Sequence, residues 1–195
     1  MAAPVQPRLS LAEWLVLCLI CEAPSHGFAL ARTLSGDGEL GTIWRVPKPV
    51  IYRALQRLED AGLVATVELQ PSNAGPVRSL VDATDAGRTA AMAWLAQPAR
   101  HNRDVRSELL AKLALLHRAG ADPAELVAAQ RAQLEPVAEA LHQKLARTTG
   151  FDRTVVLWRW EMVIATLRFL DDALSEPAAG ARPREAGRSG IASLS

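Results

Sequence analysis

The sequence is poor in cysteine, in aromatic side chains, in net charge and in long apolar segments. Only two of its 195 residues are cysteine, which excludes a disulfide-rich scaffold. Its longest uninterrupted apolar segment, 14–21, is far below the roughly 20 residues that a transmembrane helix needs. No clear signal-peptide cleavage site follows that segment, so we expect a cytoplasmic protein without a membrane span. The formal net charge of +1 gives no overall sign of nucleic-acid binding.

Apolar residues are plentiful, at 49% of the chain, and alanine and leucine dominate them. Both residues favour helices over strands, and the apolar content is sufficient for a packed core. We therefore predict a mainly α-helical protein.

The first hundred residues contain start and stop signals for three helices. Ser10 and Glu13 form a capping-box pattern, which predicts a helix from Leu11 to the residue before Pro24. Ser25 is predicted to cap a second helix over 26–34. The third helix is predicted over Pro49 to Ala61, with proline in its first turn and Gly62 as its stop. The inward face predicted for the first helix consists of Leu11, Trp14, Leu15 and Cys18.

A hairpin and a fourth helix complete the N-terminal half. Strand patterns cover 63–70 and 77–81, and the Pro-, Ser- and Gly-containing loop 71–76 joins them. Thr84 is predicted to cap a helix that ends before Pro98. The order of three helices, a hairpin and a helix predicts a winged helix-turn-helix domain with a small β-hairpin wing over residues 9–98.

The second half predicts a C-terminal helical dimerisation and effector domain over residues 104–174, built from helices over 104–118, 123–148 and 152–174. The last of these has two apolar stripes, so we expect its own domain to cover one side and a second subunit to cover the other. The first stripe is Val155, Trp158, Met162, Ala165 and Phe169, and the second is Val156, Trp160, Val163, Leu167, Leu170 and Leu174. The middle helix has residues that recur at coiled-coil-like spacing, and these are Leu126, Gln130, Gln133, Val137, Leu141 and Leu145. The ends of the chain, 1–8 and 175–195, are predicted to be disordered.

Local charge is more informative than overall charge. Residues 1–98 carry eight basic and nine acidic side chains, but the stretch 43–58 holds four basic residues and no carboxylate. In a helix-turn-helix the second helix of the motif enters the major groove, where Arg pairs with guanine and Gln with adenine. The third helix turns Ile51, Leu55 and Leu58 to one side, and its other side offers hydrogen-bond donors. With the wing, the predicted DNA-binding residues are Lys48, Pro49, Tyr52, Arg53, Gln56, Arg57, Arg78 and Gly75.

Other chemistry has little support in the sequence. Cys18 and Cys21 form a CxxC pair inside an apolar helix, so a buried structural role is favoured over a redox role, which stays open as an alternative. His26 has no potential ligand at metal-binding spacing and is interpreted as structural. No phosphate-binding loop, nucleophile motif or metal motif is present in the sequence. We predict neither an enzyme nor a cofactor.

Several short motifs, in this order over about 75 residues, resemble the PadR family of bacterial transcription regulators. The motifs are 26–30 (HGFAL), 50–55 (VIYRAL), 58–59 (LE), 62–64 (GLV), 75–78 (GPVR) and 84–88 (TDAGR). The helical remainder resembles the longer members of that family, which have a C-terminal dimerisation domain. The resemblance implies a homodimer that binds an operator. It also implies that the protein is a repressor and that a small molecule relieves the repression.

The position of an effector is only weakly indicated. Trp94, Trp158 and Trp160 are candidates for lining an apolar cavity of the dimer that takes a small aromatic or apolar effector. The simpler interpretation is that these rings pack in the core or at the dimer interface. A winged helix that makes protein contacts without binding DNA remains the alternative function.

Overall fold

The computed structural model describes residues 8–70 and 78–175 and shows a mainly helical fold with one hairpin. Its helices are α1 (Leu11–Glu22), α2 (Gly27–Thr33), α3 (Lys48–Asp60), α4 (Asp85–Ala96), α5 (Leu110–Ala119), α6 (Ala124–Leu145) and α7 (Gly150–Ser175). Strands β1 (Val64–Gln70) and β2 (Arg78–Ala83) pair in antiparallel fashion between α3 and α4. The predicted winged helix-turn-helix is confirmed.

Helix α1 is the centre of the N-terminal half. Its predicted capping box is present, since the Ser10 hydroxyl and the Glu13 carboxylate each accept the other residue's backbone N–H. The residues predicted to face inward do pack in the core, with Trp14, Leu15 and Cys18 buried and Leu11 partly buried, but burial extends to every residue from Ala12 to Ile20. Helices α2, α3 and α4, strand β2 and helix α5 all lie around it. A helix covered on all sides must be apolar on all sides.

The cap of α2 differs from the prediction. His26, and not Ser25, is the N-cap residue, and its Nδ1 accepts the backbone N–H of Ala29 at 3.0 Å. Ser25 instead exchanges two backbone hydrogen bonds with Val81, at 2.9 and 2.8 Å, and so extends the hairpin by one bridge. The imidazole nitrogen is an acceptor that capping rules based on short polar side chains overlook.

The hairpin leads the chain from α3 back to α1. Gly62 takes a left-handed φ of 67° directly after α3, as its predicted role as a stop requires. A register shift between Thr66 and Glu68 leaves Val67 unpaired in β1. Thr84 caps α4 by accepting the N–H of Gly87 at 3.1 Å, as predicted. The loop 71–77, with Gly75 and the predicted wing tip, lies outside the described residues, as do 1–7 and 176–195.

The C-terminal half forms a second core, in which α6 packs against α7. A single 3₁₀ turn at Asn102–Asp104 and a π-helical turn at Val105–Leu109 precede α5, where the sequence predicted one continuous helix. In α6 the buried positions are Leu126, Val127, Gln130, Leu134 and Ala138, and only Leu126 and Gln130 of these belong to the set at coiled-coil-like spacing. Burial in α6 follows i, i+4 spacing, and Val137 is 42% exposed.

Helix α5 belongs to both cores. Ala111 and Leu115 pack in the core around α1, whereas Leu113 and Leu116 pack against the core of α6 and α7. The Arg118 guanidinium at its end holds the Glu22 carboxylate with two hydrogen bonds of 2.9 and 2.7 Å and also pairs with Glu39. The two halves of the chain therefore share a helix.

Candidate nucleic-acid interface

Helix α3 is held in place at its entry and along its inner face. The backbone N–H of Val46 donates to the Leu34 carbonyl at 3.0 Å, which fixes the loop that leads into the helix. Pro47 is the N-cap residue, so the helix begins at Lys48, one residue before its predicted start. Ile51, Ala54 and Leu58 are buried, in a core shared with α1. The opposite face of α3 is left in solvent.

The predicted DNA-binding residues of α3 all lie on that outer face. Lys48, Pro49, Tyr52, Arg53, Gln56 and Arg57 are each exposed. Within the described residues, neither Arg45 nor Arg53 pairs with a carboxylate, and neither does Lys48. Three cations thus surround the N-terminal half of α3 without a carboxylate partner in the part of the chain that the structure describes. Such a surface favours an anionic ligand, and the helix N-terminus adds to that preference.

Arg57 makes an ion pair within the protein. Its guanidinium lies 2.9 Å from the Glu13 carboxylate, whose side chain is only 5% exposed at the start of α1. The Glu13 carboxylate also accepts the Ser10 N–H at 2.7 Å, so both of its oxygens are used. A buried carboxylate needs such partners because its desolvation is costly. Arg57 therefore joins α3 to α1, a role that the predicted DNA contact did not include.

The Gln56 side chain also has a partner. Its Nε2 donates to Asp60 Oδ1, one turn later, at 3.0 Å. Both residues are exposed, and an exposed i, i+4 contact of this kind contributes only a few tenths of a kcal/mol. Reading of an adenine by Gln56 therefore needs a rotation of this side chain, and the energetic obstacle to it is small.

Phe28 of α2 belongs to the same surface, although it was not among the predicted site residues. Its ring is 55% exposed, and the Lys48 ammonium lies 5.8 Å from the ring centroid. Buried positions of α2 are Gly27 and Leu30, so the ring points away from the core. The sequence signal that could have identified Phe28 was a large aromatic residue beside the inner face of α2, the first helix of the helix-turn-helix.

Gly27 allows α2 to approach the ring of Tyr52. A Cβ atom at position 27 would lie 2.7 Å from Cε1 of Tyr52 and 2.9 Å from its Cζ. The phenol ring, 47% exposed, therefore rests on the glycine and projects beside Lys48 and Arg53. This contact is the physical basis for glycine after His26.

The hairpin that carries the wing follows α3 in the chain. Arg78 is the first residue of β2 and pairs with Gln70 of β1, so the hairpin carries it at the end next to the loop. Val67 and Leu69 of β1 are exposed, at 57% and 64%. At the other end of the hairpin, Arg88 donates to Asp82 at 2.7 Å and to the Cys21 carbonyl at 3.1 Å, which ties the wing to α1.

The two cysteines are not placed for redox chemistry. Cys18 is 4% exposed, and burial raises the pKa of its thiol far above the ordinary value. Burial also raises the pKa of Cys21 to about 11, although Arg88 nearby acts in the opposite direction. Because the thiolate is the reactive form, the raised pKa of each thiol disfavours redox chemistry at this pair. Within the described residues no His, Cys, Asp and Glu cluster could hold a metal ion.

The three candidate effector tryptophans lie in different surroundings. Trp94 is 5% exposed, stacks on Trp14 with ring centroids 5.2 Å apart, and has the Lys112 ammonium 4.5 Å from its centroid. Trp160 is half-buried beside His142 of α6, with centroids 5.7 Å apart. Trp158 is 66% exposed on the other side of α7. Within one chain, Trp94 and Trp158 do not face a common cavity, because core packing already covers Trp94.

One family model and several solved structures are similar to this chain. The model of the family described as "Transcriptional regulator PadR-like family" matches residues 16–93, from α1 into α4. Among solved structures, Bacillus subtilis PadR in complex with operator DNA is 18% identical, with a TM-score of 0.45, over 85% of this chain and 98% of that one. The same protein in complex with p-coumaric acid gives 18% identity, a TM-score of 0.40 and the same coverage.

A Streptococcus mutans UA159 protein, smu.1604c, is 14% identical, with a TM-score of 0.41, over 84% of this chain and 98% of that one. No curated protein matches the chain. In the described ranges, no helix is long and apolar enough to cross a membrane. The matched family is one of transcriptional regulators and not of enzymes. The winged-helix part of the chain, residues 16–93, matches the PadR-like family of transcriptional regulators.

Proposed function

We propose that this protein is a homodimeric, effector-responsive repressor that binds a near-palindromic DNA operator through α3. The observation that carries the proposal is the outer face of α3 and its entry loop. Arg45, Lys48 and Arg53 are exposed there, and within the described residues no carboxylate pairs with them. Such cations break no ion pair when they approach a phosphate backbone, and they release its counterions when they bind.

The side chains of this face divide into two roles. Arg53 projects from the middle of the exposed side and has the donor geometry that reads guanine in the major groove. Lys48 and Tyr52, near the start of the helix, hold phosphates of the DNA and fix the position of the protein along the duplex. Pro49 does the same through contact with the DNA backbone. Arg78 and Gly75 of the wing contact the DNA next to the recognition helix. Arg57 has a smaller part than the others because it is paired with Glu13.

The proposed dimer forms through the first apolar stripe of α7. Of the second stripe, Val163 and Leu170 pack in the chain's own core and Val156 is also buried, each at most 4% exposed. The first stripe is left open, with Trp158 66%, Met162 40% and Phe169 37% exposed. A contiguous apolar helix face of this kind marks an interaction site. A second copy of the chain supplies the same face and covers it.

The proposed effector is a small aromatic or apolar molecule that binds beside α7 in the dimer. Trp158 and Trp160 are its candidate contacts, because one ring is exposed and the other is half-buried at the edge of the core. Trp94 is removed from this proposal because its ring is packed against Trp14.

Fluorescence anisotropy with labelled duplexes tests the DNA-binding proposal. Duplexes selected from a random pool are titrated with the wild type and with Lys48→Ala, Arg53→Ala and Arg147→Ala. Arg147 is exposed between α6 and α7 and serves as a control of equal charge. Arg53→Ala is expected to cost about 1–3 kcal/mol and to relax specificity at one base position. Lys48→Ala should weaken binding to all sequences and lower the salt slope by about 0.9 for each phosphate that is no longer neutralised.

Two results would contradict the proposal. One is the absence of binding to any duplex at low salt, which would favour the alternative of a winged helix that contacts proteins only. The other is an equal loss of affinity in all three variants, because it would show that general charge, and not the face of α3, determines binding.

A further inference from the structure

Side chains from three helices hold the segment that links the winged helix to the helical half. The segment runs from Gln97, after α4, to Asp104, before the π-helical turn. Lys112 of α5 donates to the Gln97 carbonyl at 2.8 Å. Gln133 of α6 donates to the carbonyls of Ala99 and Arg100, both at 2.9 Å. The Thr166 hydroxyl of α7 lies 3.2 Å from Asn102 Oδ1.

Gln130 makes the most specific of these contacts. Its Oε1 accepts the backbone N–H of Ala99 at 2.7 Å, and its Nε2 donates to the carbonyl of the same residue at 3.3 Å. Both Gln130 and Ala99 have zero exposure, so water cannot replace either bond. An unmade hydrogen bond costs most for such buried groups. The amide therefore defines which backbone atoms of the linker lie against α6.

The surroundings of Gln130 make a purely space-filling role a poor explanation. Its neighbours in the second core are apolar, and they include Leu126, Val127 and Leu134 of the same helix. A leucine would pack there without the need for partners. A fully satisfied polar pair in an apolar core instead selects one arrangement out of several of similar packing energy.

We propose that Gln130, supported by Gln133, is the positioning residue that fixes the direction in which the winged helix leaves the helical half. In a homodimer this direction sets the distance and rotation between the two copies of α3. The hydrogen bonds of Gln130 and Gln133 to the linker, which together form a clamp, thereby set the half-site spacing that the protein accepts in its operator. The inference rests on the proposed DNA-binding function and deepens it.

The test compares spacing selectivity in the full-length protein. Operators with half-site spacing changed in steps up to about five base pairs, half a helical turn, are titrated with the wild type and with the double variant Gln130→Met and Gln133→Met. The control is Gln143→Met, an exposed residue of α6 that donates to Glu139 at 2.7 Å. A wrongly spaced site should cost the wild type and the control roughly 100-fold in affinity, because only one half-site is engaged. In the double variant the cost should fall below about tenfold, with unchanged affinity for a single half-site.

Limited trypsin digestion gives a readout that does not depend on DNA. Arg100 and Arg103 are exposed in the linker, so loss of the clamp should make cleavage there faster than in the control. The single variant Gln133→Met replaces the double variant if the latter does not fold. Faster cleavage with unchanged spacing selectivity would overturn the proposal, as would an equal loss at single and paired half-sites. If the wild type binds no duplex, the proposed function itself fails, and the cleavage result then shows whether the clamp exists.

Discussion

At the scale of the residue, burial decides the chemistry of side chains whose sequence pattern is ambiguous. The spacing of Cys18 and Cys21 is that of a redox pair, yet Cys18 is 4% exposed in the core around α1. Glu13, a surface residue by type, is 4% exposed and is stabilised by Ser10 and Arg57. In both cases the neighbours, and not the residue type, determine the role of the side chain.

The buried thiol of Cys18 should make the protein sensitive to alkaline pH. The pKa of Cys18 is raised above its ordinary value of 9.0 in the folded state, so above pH 9 the unfolded chain loses a proton that the folded chain retains. The contribution of Cys18 to the free energy of unfolding is therefore complete below pH 9. It falls as the pH rises, by up to about 1.4 kcal/mol per pH unit. Urea unfolding from pH 8 to 11 should show a shallower loss in Cys18→Ala than in the wild type.

Cys21→Ala is the control for that comparison, since the pKa of Cys21 is raised less, to about 11. The slopes are compared, because either alanine also leaves a small cavity that lowers the absolute stability. Parallel slopes in the wild type and in Cys18→Ala would contradict the prediction. Rapid reaction of both thiols with a disulfide reagent in the native state would restore the redox alternative.

At the scale of the element, α2 and α3 act as one unit because Gly27 lets the Tyr52 ring lie between them. An added Cβ at Gly27 would lie only 2.7 Å from the Tyr52 ring, so α2 and α3 approach closely at this glycine. The elements themselves were predictable because capping boxes, proline and glycine act over a few residues. Arg57 could not be assigned in this way, since its partner Glu13 lies on another helix.

Gly27→Ala should separate stability from DNA affinity. The added methyl group must displace the Tyr52 ring, which is 47% exposed and can move into solvent. The melting temperature should change little because alanine also favours the helix, by up to about 1 kcal/mol. Under the proposed function, DNA affinity should fall roughly tenfold, since the displaced ring would lose its proposed phosphate contact in both subunits of the proposed dimer.

Gly36→Ala is the control for an added methyl group, since the nearest atom, Cδ of Arg45, would be at an ordinary contact distance of 3.7 Å and need not move. Circular dichroism and fluorescence anisotropy give the two quantities for each variant. A large loss of stability in Gly27→Ala, or full retention of DNA affinity, would show that the Tyr52 ring is not positioned for DNA.

At the scale of the whole molecule, two cores share α5, and the first apolar stripe of α7 remains exposed. Arg118 and Lys112 tie α5 to the N-terminal half, and burial lowers the pKa of Lys112 while its hydrogen bond to Glu108 opposes that shift. The exposed stripe of α7 lies on the opposite side of its helix from the second core. The arrangement predicts that association through α7 leaves both cores unchanged.

Trp158→Glu should weaken the proposed dimer by roughly 100-fold or more, because a charge would enter the centre of an apolar interface. Val137→Glu is the control, as this residue is 42% exposed on α6 and outside the stripe. Sedimentation velocity over a concentration series measures both variants against the wild type. A wild type that is monomeric at all concentrations, or equal dimerisation of Trp158→Glu, would contradict the assignment of the interface.

The sequence by itself determined the order of the elements and the winged-helix class. Those features depend on signals a few residues apart, such as Ser10 with Glu13, Thr84 with Gly87, and the left-handed turn at Gly62. It also located the exposed basic face of α3, because a helix places every third or fourth residue on one side.

Only the tertiary structure decided how those elements are connected. Gln130 bonds to Ala99 across 31 residues of chain, and Arg118 bonds to Glu22 across 96, while Arg57 reaches Glu13 on another helix. No local pattern specifies such partners, since each depends on where distant helices come to lie once apolar surface is buried. The same burial removed Trp94 from the candidate effector site and left the α7 stripe with Trp158 exposed. Short-range capping and periodicity thus determine the secondary-structure elements, and long-range packing determines which side chains contact one another.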